Sequence, residues 1–267
     1  MNDIQHISLM DLGLAALVVI ALAAFCGPWS RKSASGLVIG MGRMALQLAL
    51  VGLILQAVFD HVALHWVALI SVVMMLAAGH EIMARQRWRG PRLREWRTGL
   101  VSMLTGSFLL TVLALLVVID HDPWYHPRYA IPFLGMMLGN TMTGIALSIN
   151  RIHEGAHQQK ARVEARLALG DPWHRAIHEV RRDGIYQGTL PIINMMAAAG
   201  IVSLPGMMTG QLVAGVDPAT AVSYQILIIM MIAAGATIGI LLATRMTVRQ
   251  LFDDRERLRL EQFRKTD

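Results

Sequence analysis

Only one cysteine, Cys26, stands among the 267 residues. An intrachain disulfide and any CxxC metal or redox motif are therefore excluded, and Cys26, at the end of an apolar run, reads as a small packing residue. Lysine is almost as scarce, with Lys32, Lys160 and Lys265 the full set. A phosphate-binding loop needs a glycine-rich turn before Lys-Ser/Thr. The nearest approach, GPWSRKS from Gly27 to Ser33, lacks the second glycine and lies at a membrane boundary. The chain is not expected to hydrolyse ATP or to bind a cofactor itself. Midplane carboxylates, which ion-coupled carriers use for proton or sodium work, are missing too. Glu81, beside His80 at the end of an apolar stretch, is the one candidate, and its plain reading is an i,i+4 pair with Arg85. Proton coupling is disfavoured, and weight shifts to a separate ATPase. There is no low-complexity segment and no convincing inverted repeat.

What is abundant is apolar sequence. Hydrophobic residues make up 55% of the chain and the mean hydropathy is +0.49. The apolar residues come in blocks of about 20, the length that crosses roughly 30 Å of hydrocarbon. Seven spans are predicted, at about 8–28, 37–59, 62–83, 100–119, 129–149, 189–212 and 219–245. Of the 24 Lys and Arg residues, all but Arg128 fall in or beside alternate connections. Basic residues in short loops stay cytoplasmic, so the N-terminus is expected outside and the C-terminus inside. Asp3 and Asp11 are the charged residues before Arg31. The basic n-region of a cleavable signal is absent, and the first span is expected to remain as a membrane helix. The net charge of +6 does not point to nucleic acid, because the basic residues flank the spans; anionic lipid headgroups are the expected counter-charge. The fold class is an all-α polytopic membrane protein with about seven transmembrane helices.

The connection 150–188 is the longest. In it Gly170 suits a helix C′ position, Asp171 an N-cap and Pro172 the first helical residue. PWHRAIHEVRRD then reads as a short amphipathic helix closed by Gly184. Asp122-Pro123 and Asp217-Pro218 repeat the Asp-Pro device, the second opening the last span. Residues 247–267 form a charged tail of alternating sign without an apolar stripe, expected as a solvated helical extension.

The chain's 18 methionines include the in-span pairs Met74-Met75, Met136-Met137, Met195-Met196, Met207-Met208 and Met230-Met231. Thioethers pack adaptably and also suit soft cations, so packing and a permeation surface are both open readings. Gln47, Asn140, Asn194, Gln211, Tyr224 and Gln225 are expected to hydrogen-bond between helices, with Asn140 in the Gly-rich run 135–144 the best functional candidate. Met136, Met137, Asn140, Asn194, Met207, Met208 and Gln211 make up the candidate pathway. Pro205-Gly206 marks a kink or a broken, re-entrant segment. On the opposite side to the arginines, Asp60, His61 and His65, and then Asp120, His121, Asp122 and His126, bring together imidazole and carboxylate. These groups, with Glu81, are candidate metal ligands or plain solvated loop residues.

Three motifs carry a family resemblance: GMMLGNTMTG (135–144), EARLALGDP (164–172) and GIVSLPGMMTGQLVAGVDPATAVSYQI (200–226). They resemble the FetB-like iron-export ABC-transporter permeases, whose plant relatives include aluminium-sensitivity proteins, and the resemblance covers nearly the whole chain. It implies a bacterial inner-membrane permease domain over 1–246, paired as two copies with two copies of a FetA-like ATPase that carries ATP and Mg. The implied cargo is iron, exported in metal or oxidative-stress resistance. It also implies that the 150–188 loop is the coupling segment, with Glu164, Leu167, Leu169, Gly170, Asp171 and Trp173 at the ATPase. Glu164, Ala165 and Gly170 match the start of the EAA-type coupling signature of ABC importers, whereas Arg166 and the downstream spacing depart from it, so the import direction does not carry over. No ligand set in the sequence demonstrates an iron site. Export of another metal or a nucleotide sugar, or an ATP-independent carrier or scaffold, stays open.

Overall fold

The computed structural model describes residues 8–60, 62–117 and 122–265. His61, Asp120 and His121 lie outside the described residues. The chain is all-helical and divides into two compact units, Met1–Val62 and Ala63–Asp267.

The first unit is a helix pair. Helix α1 (Leu9–Cys26) opens with a capping box: the Asp11 N–H donates to Ser8 Oγ at 3.2 Å and the Ser8 N–H to Asp11 Oδ2 at 2.9 Å. Reciprocal caps of this kind satisfy N–H groups the helix cannot pair internally. Helix α2 (Arg31–Asp60) packs against α1. Ala23 is the buried residue of α1; an apolar helix exposed all round is suited to lipid.

The second unit begins with α3 (Leu64–Ala84) and a two-residue strand β1 (Trp88–Arg89). Then α4 (Arg92–Met103), a π turn (Leu104–Phe108) and α5 (Leu109–Val117) run on as one span. The π turn places Gly106 against the backbone of Gly235 and Gly239, where a Cβ would have no room. Helix α6 (Pro127–Gln158) is the central element, with its middle buried between α3, α9 and α11. Short helices α7 (Lys160–Ala168) and α8 (Trp173–Ala176) lead into α9 (His178–Ala198). The chain then breaks over 199–205 and resumes as α10 (Gly206–Val213) and the long α11 (Pro218–Gln250), before strand β2 (Arg264–Lys265).

Among the described residues, six helical stretches are long and apolar enough to cross a membrane. The difference from seven predicted spans lies at 189–212. Gly200 adopts a φ of +84°, open to glycine and rare for other residues, and Pro205 lacks the N–H a continuous helix would need there. That stretch is therefore the end of α9, a break and the separate α10.

Two local expectations change and a third holds. Gly184 does not end a helix: it is buried in α9 against Ile152, and its lack of a side chain serves close packing. No helix opens at Asp122-Pro123. Helix α6 starts at Pro127 instead, with His126 Nδ1 accepting from the Arg128 N–H at 3.4 Å. Asp217-Pro218 does open α11, the carboxylate accepting from the Thr220 N–H at 3.1 Å.

The tail is not a solvated helical extension. Helix α11 stops at Gln250, and Leu251, Phe252, Leu260 and Phe263 turn back into a cluster with Ile152, Val163, Ile177 and Val180. β2 pairs antiparallel with β1, Trp88 opposite Lys265 and Arg89 opposite Arg264. Phe263 meets the buried His153 ring, centroids 4.5 Å apart.

Candidate functional site

Antiparallel packing gathers the arginine-rich helix ends into one face. Asn150 on α6 joins them: its Oδ1 accepts from the Arg87 N–H at 2.9 Å and its Nδ2 donates to the Arg85 carbonyl at 3.1 Å. Gln250 Nε2 at the end of α11 donates to Thr98 Oγ1 on α4 at 2.8 Å. Glu81 pairs with Arg85 at 3.3 Å, the plain i,i+4 arrangement.

On this face α7 ends in a complete Schellman motif. Gly170, at φ +93°, takes the left-handed position; its N–H donates to the Leu167 carbonyl and that of Asp171 to the Arg166 carbonyl, both at 3.0 Å. This geometry closes the orphan carbonyls of a helix end. It also throws Leu169 outward, where it is 87% exposed. Asp171 does not cap α8: its carboxylate accepts from Arg166 Nε at 3.0 Å, and Pro172 holds the N-cap position without a side-chain bond.

The predicted coupling residues thus separate into two groups. Glu164, Leu167, Gly170 and Asp171 line a groove of about 830 Å³ whose other wall is the tail loop from Asp254 to Leu258. Glu164 is within 3.7 Å of Lys160. Trp173 does not line that groove. Its ring packs on Phe252 (centroids 5.6 Å), Arg249 lies 5.8 Å above it, and the Trp173 backbone N–H donates to Glu256 Oε2 at 3.3 Å. It anchors the tail to α8, while Leu169 is the apolar side chain on offer.

Sequence reasoning missed the tail wall. Its dense charge masked the interleaved Leu251, Phe252, Leu258, Leu260 and Phe263, which are the available signal. The wall is shaped by Asp253, whose carboxylate accepts from the Arg255 and Arg257 N–H groups, each at 2.9 Å, and from Arg257 Nε at 2.8 Å. The Arg257 N–H above all holds the Asp253 carboxyl below its ordinary range, because hydrogen bonds to the charged form favour it.

At the opposite end of the bundle, a cavity of about 220 Å³ lies between α5, α6, α10 and α11. Its lining includes Arg128, Phe133, Met136, Met207, Gln211 and Tyr224. Of the candidate pathway residues, Met136, Met207 and Gln211 come together here. Gln211 Oε1 is buried without a hydrogen-bond partner, a costly state for an amide. Met137 instead is fully buried in the core beside Phe133, Ile228 and Ile232. Asn140 donates to Met136 O of its own helix at 2.9 Å rather than across helices. Asn194 is exposed, and Met208 is half-buried away from the cavity lining. Arg128, Phe133 and Tyr224 as lining residues were not legible, since nothing in spacing joins α6 to α11.

Among the described residues no group of three or more His, Cys, Asp or Glu side chains could hold a metal ion. His65 lies in the first turn of α3 and His126 caps α6; Asp122 joins neither in such a group.

No solved structure matches this chain. Curated sequences do. It is 37% identical over 218 residues to "UPF0014 membrane protein slr1647" of Synechocystis, covering 81% of this chain and 83% of that one. It is 31% identical to "Protein ALUMINUM SENSITIVE 3" of Arabidopsis thaliana, covering 91% and 89%. It is 25% identical to "Probable iron export permease protein FetB" of Escherichia coli, covering 98% of both chains. The model of "Uncharacterised protein family (UPF0014)" matches residues 9–252. With that match and these full-length likenesses, the chain belongs to the UPF0014 family of membrane proteins, the FetB-like group its three motifs resemble.

Proposed function

We propose that this chain is the membrane-spanning subunit of an ABC transporter that exports iron from the cytoplasm, using ATP hydrolysed by a separate FetA-like subunit. Two copies would work with two ATPases in a bacterial inner membrane, N-terminus out and arginine-rich face in the cytoplasm, as the placement of basic residues argues. Likeness to the Escherichia coli protein named as a probable iron export permease, over nearly all of both chains, supports the cargo.

The observation that carries the ATPase reading is the α7–α8 turn. Leu169 stands 87% exposed on a rigid Schellman turn, at the rim of a groove with carboxylates from both walls. A large exposed apolar side chain on such a support suits a partner surface. Closure of the ATPase pair would push this turn. Trp173, fixed to Phe252, and α9, which continues directly from α8, would pass the movement to the membrane helices. Cargo other than iron, another metal or a nucleotide sugar, is favoured by one feature: the cavity is lined by Arg128, two tyrosines and two methionines and by no carboxylate. The test is co-purification with a stand-alone ATPase and measurement of its hydrolysis rate. Binding that raises the rate supports the reading, and neither binding nor a change in rate rejects it.

A further inference from the structure

The cavity at the end opposite the arginine-rich face is built from helix faces. Arg128, Pro132 and Met136 rise along one side of α6, and Met207 and Gln211 stand at i and i+4 on α10, with Tyr224 of α11 beside them. Residues at that spacing share one face of a helix. All of them belong to the second compact unit, so the lining is that unit's own.

This lining does not suit a bare metal ion. It holds the Arg128 guanidinium, the Gln211 amide and two thioethers, and no Asp, Glu, His or Cys. Burying a cation without an anionic partner is costly, and a like charge in the same lining adds repulsion. Among the described residues no group of three or more His, Cys, Asp or Glu side chains supplies a site elsewhere. Iron carried through this cavity must therefore bring its own ligands.

We propose that the cavity receives iron as an anionic complex with a small hydroxycarboxylate. This rests on the iron-export reading above and names the form of its cargo. A guanidinium pairs with a carboxylate through two parallel hydrogen bonds, so Arg128 matches an acid group of the complex. Gln211 Oε1 is buried without a hydrogen-bond partner, a cost that a donor on the ligand removes. A hydroxyl both donates and accepts, so it serves the amide in either orientation. Carboxylate and hydroxyl oxygens on one carbon frame are also the ligands a hard cation takes. The volume of about 220 Å³ lies below the roughly 300–1,000 Å³ of clefts for drug-sized ligands, so the acid is small. Met136 and Met207 then wall the complex as adaptable apolar surface and do not ligate the metal.

The test is equilibrium dialysis of the full chain in lipid nanodiscs against ferric citrate, with iron and citrate carrying different radiolabels. Citrate alone, ferrous iron alone and a nucleotide sugar run beside it. The expected result is retention of both labels together, weakened about tenfold or more by Arg128→Gln, the loss of one charge-assisted pair. Arg128→Lys keeps the charge without the planar fork and restores part of the binding. Gln211→Glu leaves Arg128 in place, sets a carboxylate in the lining and turns the preference toward ferrous iron. Retention of neither label, stronger retention of any of the other probes by the parent chain, or equal binding of ferric citrate by parent and variants overturns the proposal. Uptake into inside-out vesicles with the ATPase separates it from the reading it rests on. ATP-driven iron uptake without the citrate label rejects the complex and leaves iron export standing. Retention by the chain with no ATP-driven uptake supports the site and counts against the permease reading.

Discussion

Gly144 and Gly188 meet backbone to backbone where α6 crosses α9. A Cβ on Gly144 would lie 2.8 Å from the Gly188 carbonyl oxygen, and one on Gly188 2.9 Å from that of Gly144. Neither obstacle is a flexible side chain, so the helices must separate to admit a methyl group.

Gly188→Ala is therefore expected to destabilise the bundle by about 1–3 kcal/mol through overpacking. Gly139→Ala, in the same helix as Gly144 but with nothing within 4 Å of the new Cβ, is expected to be neutral or to stabilise by up to about 1 kcal/mol. Thermal unfolding of both variants in detergent compares them; equal melting temperatures would contradict the close crossing.

Leu169→Ala and Trp173→Ala are expected to fail in different ways. Leu169 packs on little in the chain, so its loss leaves stability within about 0.5 kcal/mol while ATPase stimulation drops. The Trp173 ring packs on Phe252, so its truncation costs about 1–3 kcal/mol and loosens the tail. Melting and ATPase stimulation measured on both variants separate contact from anchor. Unchanged stimulation with Leu169→Ala would remove that residue from the coupling surface.

The tail loop is expected to open in acid. Asp253 has a lowered carboxyl pKa in the folded chain, so its contribution is complete above the unfolded value of about 3.9 and is lost as pH falls through the lower folded value. At neutral pH, Asp253→Asn imitates that loss. Hydrogen exchange over 253–263 and tryptic cleavage at Arg255 and Arg257 are expected to rise, with the melting of the helices unchanged. Equal cleavage of variant and parent would show that Asp253 does not hold the loop.

Gln211→Leu is expected to separate stability from transport. The Gln211 Oε1 is buried without a partner, so removing the amide is expected to leave stability unchanged or raise it by about 1 kcal/mol. If the cavity belongs to the pathway, transport falls nonetheless. A variant that transports at the parent rate would place Gln211 outside the pathway.

The apolar blocks and the one-sided arginines reveal the all-helical membrane fold, because length and charge are one-dimensional properties. The turn at Gly170 and the start at Pro218 were legible for a similar reason, each being set by backbone preferences of adjacent residues. The tail was not. Its charges alternate as on a solvated surface, and only contact with Ile152 and Val180, about a hundred positions away in the chain, shows that Phe263 is a core residue. The same limit applies to the cavity: Met136 and Gln211 were visible as candidates, but their meeting depends on the break at Gly200. Gly184 and Asp171 misled because a glycine serves close packing as readily as a helix end, and an aspartate an ion pair as readily as a cap.

The most direct test is ATP-dependent uptake into inside-out membrane vesicles carrying this chain and its ATPase, with iron, zinc, copper and organic solutes compared. Iron accumulating ahead of the others, only with ATP and less with Leu169→Ala, is the expected result. Iron uptake that is equal with and without ATP, or absent while another solute accumulates, would contradict ATP-driven iron export.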